Sequence, residues 1–413
     1  MNFVKRWHSC YSRSSACCID SRRIYYSPEN CLDSRSNAVR NSPQTLSFAS
    51  EPQRILLVLP TWVGDLVMAT PFIAAIFKRF AHAEISMLMH QHLVSLLEGS
   101  PWVGNYYFWP RRDGSKEARA AQRTLIKDLR LQRFDLAITL PNSFRSAWIC
   151  WRAGAKRRVG FSRDGRGMLL TDRIQPPNKM TAKPKNTPAH MRVKKFKPMP
   201  LVEYYADLAQ AIGCEHPGDA LALFTTPAND LAVDQRLADA GVESSGLLVV
   251  LCPGANFGAS KCWPPERFAA VADRLVRQHH ATIVISPGPG EEPLAKAIHS
   301  TMQQSSVLLI EPCLTLGELK SLIQRSKLLL GNDTGPRHFA RAFDVNRVTV
   351  FGPTEVVWTD TSHDRETIVR VDVPCGPCHL KVCPLQTREC MERVTVDMVA
   401  NACTQALAPL TTD

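Results

Sequence analysis

The chain has 413 residues, a formal net charge of +12 and a hydrophobic fraction of 45%. This length favours two or three domains, and the balanced composition excludes a wholly disordered chain, a collagen-like fibre and a long coiled coil. The apolar runs fall far short of the roughly 20 residues that a membrane-spanning helix requires, so we expect no transmembrane segment.

The positive charge is concentrated in one stretch of the chain. Residues 111–200 hold 23 Lys and Arg against 6 Asp and Glu, so the rest of the chain carries a small negative charge. One basic face favours an anionic partner, which on charge alone is nucleic acid, anionic lipid or a phosphorylated glycan. A solvated surface with a basic loop is the alternative.

The N-terminal residues and the cysteines indicate the cellular compartment in which the protein is expected. Residues 1–50 are rich in Ser, Arg and Asn and lack the apolar core of a secretory signal, so we expect a disordered extension without a chemical role. The 14 cysteines are mostly scattered singly through apolar segments, which is typical of a reducing compartment.

From residue 51 onward, short apolar runs alternate with helical patterns. Predicted strands in the first half lie at 55–60, 83–89 and 134–141. Predicted helices lie at 66–80, 92–99, 117–132 and 201–213. Residues 176–200, rich in proline, lysine and arginine, predict a mobile basic loop, and residues 224–230 predict an interdomain linker.

The second half repeats the alternation. Predicted strands lie at 246–255, 281–290, 306–312, 327–335 and 348–354, and predicted helices at 266–278, 292–302 and 316–326. We therefore predict an α/β protein with two doubly wound parallel-sheet domains, 51–226 and 227–413. Their facing sheets place a cleft along the carboxyl ends of the strands, where ligands bind in such folds.

Three turns after predicted strands carry polar residues that apolar periodicity does not explain. In the first, TWVGD at 61–65, Asp65 lies at or near the start of a helix. Asp65 is either an N-cap that satisfies a free amide or a general base that takes a proton from a substrate hydroxyl.

The second turn, PGANFGASKCWP at 253–264, combines small residues with Lys261. It suits either a phosphate-binding loop, although without Walker A spacing, or a surface turn with a solvated lysine. The third turn, GNDTGPRHFARAF at 331–343, leads into a helix that Asp333 or Thr334 caps. That helix start either binds an anion, which His338 then faces, or is a capped terminus with a core-facing histidine.

Together and in this order, these turns resemble glycosyltransferase family nine, the ADP-heptose:lipopolysaccharide heptosyltransferases, and most closely its heptosyltransferase II branch. The resemblance covers about residues 54–400. The segments that carry it are LPTWVGDLVMATP at 59–71, RVGFSRDGRGMLLTD at 158–172, CPGANFGASKCWPPERFA at 252–269, GNDTGPRHFA at 331–340 and FGPTE at 351–355.

The resemblance implies a GT-B architecture, in which two Rossmann-like domains face each other across a cleft. It implies an inverting transfer from ADP-heptose without a catalytic metal or other cofactor, with Asp65 as the catalytic base and Lys261 on the donor diphosphate. The residues assigned on this basis to donor binding are Gly254, Ser260, Glu292 (or its neighbour Glu291), Asp333, Thr334, Gly335 and His338.

The acceptor implied by the resemblance is an anionic, lipid-linked glycan of the lipopolysaccharide inner core. Its expected contacts lie in the domain 51–226, and they are Trp62, Gly64, Arg163, Arg166, Lys194 and Lys195. The basic charge also favours attachment, from the cytoplasm, to the inner face of the plasma membrane. Arg337 replaces a small or apolar residue of the family pattern, and we expect it to contact phosphate or to point to solvent.

Several interpretations stay open beside this one. Four cysteines, Cys375, Cys378, Cys383 and Cys390, have a C-x2-C-x4-C-x6-C spacing that allows a zinc or iron–sulfur site, although a structural or partly oxidised loop is favoured. A transferase of the same fold with a different nucleotide sugar is the nearest alternative function. A non-catalytic protein that binds glycan or nucleic acid would leave Asp65 and Lys261 without a purpose, and we expect no nucleic-acid partner.

Overall fold

The structure is a computed structural model that describes residues 23–26, 45–178, 196–242, 246–361 and 363–408. Two parallel sheets organise these residues, one in each half of the chain. The first strand, β1 (Arg23–Tyr26), belongs to the second sheet. Within the described ranges, no helix is both long and apolar enough to cross a membrane.

The N-terminal domain is built on a six-stranded parallel sheet. Its strands are β2 (Arg54–Val58), β3 (Glu84–Met89), β4 (Asn105–Phe108), β5 (Leu136–Thr139), β6 (Arg157–Phe161) and β7 (Asp172–Ile174). Their spatial order is β4-β3-β2-β5-β6-β7, which is the order of a Rossmann domain. The helices are α1 (Val63–Met68), α2 (Thr70–Arg79), α3 (Lys116–Leu131), α4 (Phe144–Arg152) and α5 (Leu201–Ala211).

The C-terminal domain repeats this topology. Its strands are β8 (Leu248–Cys252), β9 (Thr282–Ile285), β10 (Val307–Leu308), β11 (Leu328–Asn332), β12 (Asn346–Phe351) and β13 (Glu366–Val371). The order β13-β12-β11-β8-β9-β10 matches that of the first sheet, and β1 pairs in parallel with β13 at one edge. The helices are α6 (Pro227–Asp239), α7 (Pro265–His279), α8 (Glu292–Thr301), α9 (Leu316–Arg325), α10 (Pro336–Ala342), α11 (Glu389–Glu392) and α12 (Val396–Leu407).

Both faces of each sheet are buried, which explains why the strand sequences are continuous apolar runs rather than alternating apolar and polar residues. In β2, Ile55 and Leu57 belong to the core that also contains apolar residues of α2 and α5. Their neighbours Leu56 and Val58 belong to a separate core with apolar residues of α3 and α4. The predicted doubly wound, two-domain α/β architecture is confirmed.

Several local predictions differ from the structure. The predicted helix at 92–99 is a 3₁₀ turn at Gln91–Leu96, and α6 begins inside the predicted linker, capped by Thr226. Part of the extension expected to be disordered is packed, since the Leu46 amide donates to the Ala211 carbonyl over 2.8 Å. Most of the predicted basic loop, residues 179–195, lies outside the described residues.

The topology fixes where the two domains present their ligand-binding edges. In each sheet the strand order reverses between the first and fourth strands, which are β2 and β5 in one domain and β8 and β11 in the other. Ligands bind at the carboxyl ends of the strands at such a switch point. Ligand contacts are therefore expected from the segments that follow β2, β8 and β11.

Candidate active site

A cleft of about 1300 Å³ has walls from both domains. On the N-terminal side it is lined by residues 61–65, which follow β2 and begin α1. On the C-terminal side it is lined by residues 254–257 and Lys261, which follow β8, and by residues 333–336, which follow β11. The three turns singled out in the sequence thus meet in one cleft.

Asp65 lies in the first turn of α1, and Trp62 rather than Asp65 occupies the N-cap position. The N-cap interpretation of Asp65 is therefore wrong. Burial raises the pKa of Asp65 to about 6, with the charge of Lys261 lowering it and that of Asp333 raising it. A carboxyl group with such a pKa exchanges its proton close to neutral pH, as a general base must.

Lys261 is held in place by Asp333 and by the end of β11. Its Nζ lies 2.5 Å from Asp333 Oδ2 and 3.0 Å from the Asp333 carbonyl oxygen. The side chain of Asn332 fixes the turn that carries Lys261, because its Oδ1 accepts from the Trp263 amide at 3.2 Å and its Nδ2 donates to the Pro253 carbonyl. Only 12% of the Lys261 side chain is exposed, so the solvated-turn alternative is wrong.

Asp333 begins a row of buried charges that continues away from the cleft. Its Oδ1 accepts from Arg337 Nη1 at 3.2 Å, and Arg337 makes two 2.9 Å contacts to the carboxylate of Glu366. Arg347 Nη2 lies 2.9 Å from the same carboxylate. We call Lys261, Asp333, Arg337, Glu366 and Arg347 the charge chain.

The charge chain keeps its acids ionised despite burial. Burial raises the pKa of Asp333, but the charges of Lys261 and Arg337 hold it below its ordinary value. Arg337 and Arg347 likewise hold the pKa of Glu366 far below normal against the effect of burial. The expectation that Arg337 contacts phosphate or solvent is wrong, because its side chain is 2% exposed and faces Glu366 and Asp333.

Two glycines allow the domains to touch at the cleft. A Cβ atom on Gly64 would lie 2.9 Å from His338 Cδ2, and one on Gly335 would lie 2.6 Å from Val63 Cγ1. Neither Asp333 nor Thr334 caps α10, whose N-cap is Gly335. Burial lowers the pKa of His338 to about 3, so the imidazole lines the cleft in its neutral form.

Two residues predicted to bind the donor point elsewhere. Ser260 is buried and its hydroxyl donates to the Leu380 carbonyl at 2.6 Å, away from the cleft lining. Glu291, rather than Glu292, lines the cleft. Its carboxylate accepts a hydrogen bond from the Gly288 amide at 2.8 Å. A Cβ on Gly254 would overlap this carboxylate, which accounts for the glycine there.

Some of the predicted acceptor contacts also line the cleft and others do not. Trp62 and Gly64 line the cleft. Arg166 is completely buried and donates to the Phe161 carbonyl at 2.8 Å, so its role is structural, and the assignment to acceptor binding is wrong. Arg163 lies 3.6 Å from the centre of the Phe196 ring and lines neither the cleft nor its side pocket. Lys194 and Lys195 lie outside the described residues.

A cationic side pocket of about 510 Å³ adjoins the cleft and shares Thr61 with it. Arg111, Arg112 and Arg145 line it, and the guanidinium of Arg145 lies 4.3 Å from the centre of a Trp109 ring. Among the described residues, the buried Nε1 of Trp109 has no hydrogen-bond partner. Charge counting along the chain located the basic region but did not distinguish these arginines from buried ones such as Arg166.

The cysteine-rich segment packs behind the turn that carries Lys261. The Lys381 carbonyl accepts from the Ser260 amide at 3.2 Å, next to the Leu380 contact of the same serine. Its four cysteines are free thiols. In the described part of the chain, no group of three or more His, Cys, Asp or Glu residues is arranged to hold a metal ion. The contacts of Leu380 and Lys381 with Ser260 attach this segment to the turn that carries Lys261.

The chain is similar in sequence to proteins of a known family. Residues 122–388 match the family model described as glycosyltransferase family 9 (heptosyltransferase). Lipooligosaccharide heptosyltransferase 2 of Haemophilus influenzae is 27% identical over 324 residues, which cover 77% of this chain and 88% of that protein.

Solved structures agree on the fold. A family 9 glycosyltransferase from Veillonella parvula superposes with a TM-score of 0.71 at 18% identity, covering 89% of this chain and 99% of that one. The ADP-heptose lipopolysaccharide heptosyltransferase II of Escherichia coli gives a TM-score of 0.66 at 22% identity, covering 86% and 98%. The expected GT-B architecture is confirmed.

Proposed function

Because the chain belongs to glycosyltransferase family 9, the heptosyltransferase family, we propose that it transfers L-glycero-D-manno-heptose from ADP-heptose to an anionic glycan acceptor of the lipopolysaccharide inner core or a related glycan, with inversion at the anomeric carbon. The observation that carries the proposal is the meeting of Asp65 with the Lys261–Asp333 pair in the interdomain cleft. In this proposal Asp65 is the base for the acceptor and Lys261 is the cation for the leaving group, and both line the cleft.

The donor occupies the C-terminal wall of the cleft. Lys261 contacts the diphosphate, while Asp333 contacts the sugar and Glu291 the ribose hydroxyls. Thr334, Gly335 and the neutral His338 complete the wall, with Gly254 giving room for Glu291. As the bond from the anomeric carbon to the diphosphate breaks, charge develops on ADP, and a fixed cation stabilises such a charge strongly in a site with little water.

Asp65 serves the acceptor. Its carboxylate takes the proton of the acceptor hydroxyl while the hydroxyl oxygen forms the new bond to the anomeric carbon and ADP departs with the electron pair of the broken bond. The pKa of about 6 leaves most of this carboxyl ionised at neutral pH and still basic enough to accept a proton. Attack from the side opposite to ADP gives the inverted product.

The acceptor extends from Asp65 into the cationic side pocket. Thr61 belongs to both spaces, so a sugar whose hydroxyl reaches Asp65 can place a phosphate or carboxylate among Arg111, Arg112 and Arg145. Arginine recognises such planar or tetrahedral anions through paired N–H donors. In this proposal Arg111, Arg112 and Arg145 replace Arg163 and Arg166 as the acceptor contacts.

We also propose that the enzyme works at the cytoplasmic face of the inner membrane.

Donor choice is tested by calorimetric titration of the metal-free protein with ADP-heptose, ADP-glucose and a UDP-sugar, with Lys261→Ala as the control. Lys261-dependent binding of ADP-heptose alone, followed by an inverted glycosidic product in an NMR-monitored reaction, supports the proposal. Binding of a different nucleotide sugar would keep the transferase and remove heptose. A product with retained configuration would exclude the role given to Asp65.

The acceptor pocket is tested separately by steady-state kinetics. Arg145→Gln is expected to raise the acceptor KM about tenfold or more, because a hydrogen bond to a charged group is lost, while the donor KM stays unchanged. Arg163→Gln provides the comparison, since Arg163 does not line the pocket. A larger effect of Arg163→Gln would return the acceptor site to the original assignment.

A further inference from the structure

Helix α4 carries an aromatic face that the reaction does not use. Phe144, Trp148 and Trp151 are spaced by four and three residues, which places them on one side of the helix. Phe144 is 48% exposed and Trp151 47% exposed, while Ile149 and Cys150 on the other side are buried in the core. Trp148, between them in the helix, is partly buried and packs against the same core. Exposed large aromatic side chains on one helix face are candidates for an interaction surface.

Helix α3 places a row of cations beside this aromatic face. Four exposed basic residues follow each other at helical spacing, and they are Arg119, Arg123, Lys127 and Arg130. The flank that carries them faces α4, since Arg130 Nε donates to the Arg152 carbonyl at 2.8 Å.

The acids of α3 lie on a different side of the helix from this cationic row. They are Glu117 and Asp128. Asp128 lies near Tyr107 of β4, where it adds to the effect of burial in raising the pKa of the phenol. The cationic flank is therefore free of acids from its own helix.

Two further exposed apolar side chains belong to α3 and to a turn that packs on α4. Leu131, at the end of α3, is 67% exposed, and Met168, in the 3₁₀ turn that packs on α4, is 74% exposed. The guanidinium of Arg152 lies within 6 Å of the Trp148 and Trp151 rings, at 5.7 and 5.9 Å. We call the aromatic face of α4, the cationic row of α3, Leu131 and Met168 the α3–α4 surface.

We propose that the α3–α4 surface docks the enzyme onto an anionic lipid bilayer, an inference that rests on the proposed lipid-linked acceptor. Tryptophan and phenylalanine insert at the boundary between headgroups and acyl chains, and neighbouring lysines and arginines bind anionic headgroups. The combination of exposed apolar and basic side chains fits this partner better than a nucleic-acid duplex, which offers phosphates but no apolar layer.

The position of α4 links docking to catalysis. Ser143 caps α4, and Arg145 in its first turn lines the cationic side pocket. An enzyme seated on the bilayer through Phe144 and Trp151 would therefore hold that pocket at the headgroup level, where the sugars of a lipid-linked acceptor begin. The lipid-facing surface and one wall of the acceptor pocket therefore share helix α4.

Vesicle flotation tests the surface directly. The full-length protein is mixed with phosphatidylcholine vesicles containing either no phosphatidylglycerol or about one third of it. Wild type is expected to float with the anionic vesicles. Phe144→Ser/Trp151→Ser is expected to lose most of that binding, and Arg123→Gln/Lys127→Gln to weaken it about 30-fold, since each basic residue near an anionic surface contributes about a factor of five.

A matched control and a site-specific signal complete the flotation test. Leu231→Ser/Leu385→Ser removes two exposed apolar residues of the C-terminal domain, at 69% and 58% exposure, and should float like wild type. Brominated lipid should quench tryptophan fluorescence in wild type and much less in Trp151→Phe. Unchanged flotation of both α3–α4 variants, or equal binding to neutral vesicles, would overturn the proposal.

Failure of membrane docking can be distinguished from failure of the proposed sugar transfer and from nucleic-acid binding. Flotation needs no sugar transfer, so it reads out docking even if the proposed function fails. With a water-soluble acceptor fragment, Phe144→Ser/Trp151→Ser should keep the kcat of wild type and lose rate only with acceptor in vesicles. Binding of a single-stranded oligonucleotide that competes with vesicles and depends on Trp151 would overturn the membrane assignment in favour of a nucleic-acid surface.

Discussion

Replacement of Asp65 with asparagine is expected to abolish sugar transfer and to stabilise the folded protein at neutral pH. Burial raises the pKa of this carboxyl from 3.8 to about 6, so the folded state keeps a proton that the unfolded chain releases between those pH values. Stability therefore falls as pH rises through this window and stays lower above it. The shift of about two units corresponds to about 3 kcal/mol, which the neutral asparagine does not incur.

Urea unfolding at two pH values measures this cost. At pH 8, Asp65→Asn should exceed wild type in the free energy of unfolding by about 3 kcal/mol, and at pH 4.5 by about 1 kcal/mol or less. Asp239→Asn, which changes an exposed carboxylate of α6, should show no difference at either pH. In parallel, the ADP affinity of Asp65→Asn by calorimetry should equal that of wild type. The kcat of wild type should rise with pH through about 6 and level off roughly one pH unit above it.

Two results would refute the reasoning on Asp65. If the variant is no more stable than wild type at pH 8, the carboxyl is not held at an energetic cost in the cleft. If the variant still transfers sugar at a substantial rate, another group takes the acceptor proton. A stability gain together with lost activity is the pattern expected of a residue kept for chemistry rather than for folding.

Lys261→Ala should weaken ADP binding about 10- to 100-fold in calorimetry and lower kcat as well, since it removes a charged contact to the diphosphate; unaltered ADP affinity would contradict its role. Glu366→Gln should destabilise the fold by about 3–5 kcal/mol, measured by urea unfolding, because two buried arginines lose their shared counter-charge; exposed Glu389→Gln is the control. Lys320→Met should raise the free energy of unfolding at pH 7 but not at pH 10.5. Burial lowers the pKa of Lys320 to about 8, so the cost of burying its charge disappears as pH rises above that value. Equal effects of the substitution at both pH values would show that the charge of Lys320 is not the cause.

The fold was predictable where strands are buried on both faces. The β2 and β8 runs are apolar at nearly every position, and each leads directly into a turn of small and polar residues. Strands β6 and β13 were missed because they carry charged residues, as in RRVGF and ETIVRV. Tertiary partners, rather than local pattern, decide that such segments are strands: Arg157 pairs with Asp172 of the neighbouring β7, and Glu366 lies against two arginines.

The candidate site was predictable for the residues that follow strands at the switch points. Asp65, Lys261 and Asp333 come together because parallel topology brings those strand ends to one edge. The charge chain was not predictable, since Arg337 and Glu366 are 29 residues apart in the sequence and β13 was not recognised. The sequence also does not distinguish Arg145 from Arg166. In the structure Arg145 lines the cationic side pocket, whereas Arg166 is completely buried and makes structural contacts.

The charges of the cleft explain how one lysine can assist both proton transfer from the acceptor and departure of the diphosphate in the proposed reaction. Lys261 binds Asp333 at 2.5 Å in the donor wall, and its charge also lowers the pKa of Asp65 on the acceptor side. When the acceptor proton moves to Asp65, that carboxylate loses its negative charge as the departing diphosphate gains one. The total charge around Lys261 therefore stays constant, and only its distribution changes. Because the charge chain fixes Asp333 from behind, this redistribution requires little rearrangement of the protein, which is the condition under which a fixed cation stabilises a transition state best.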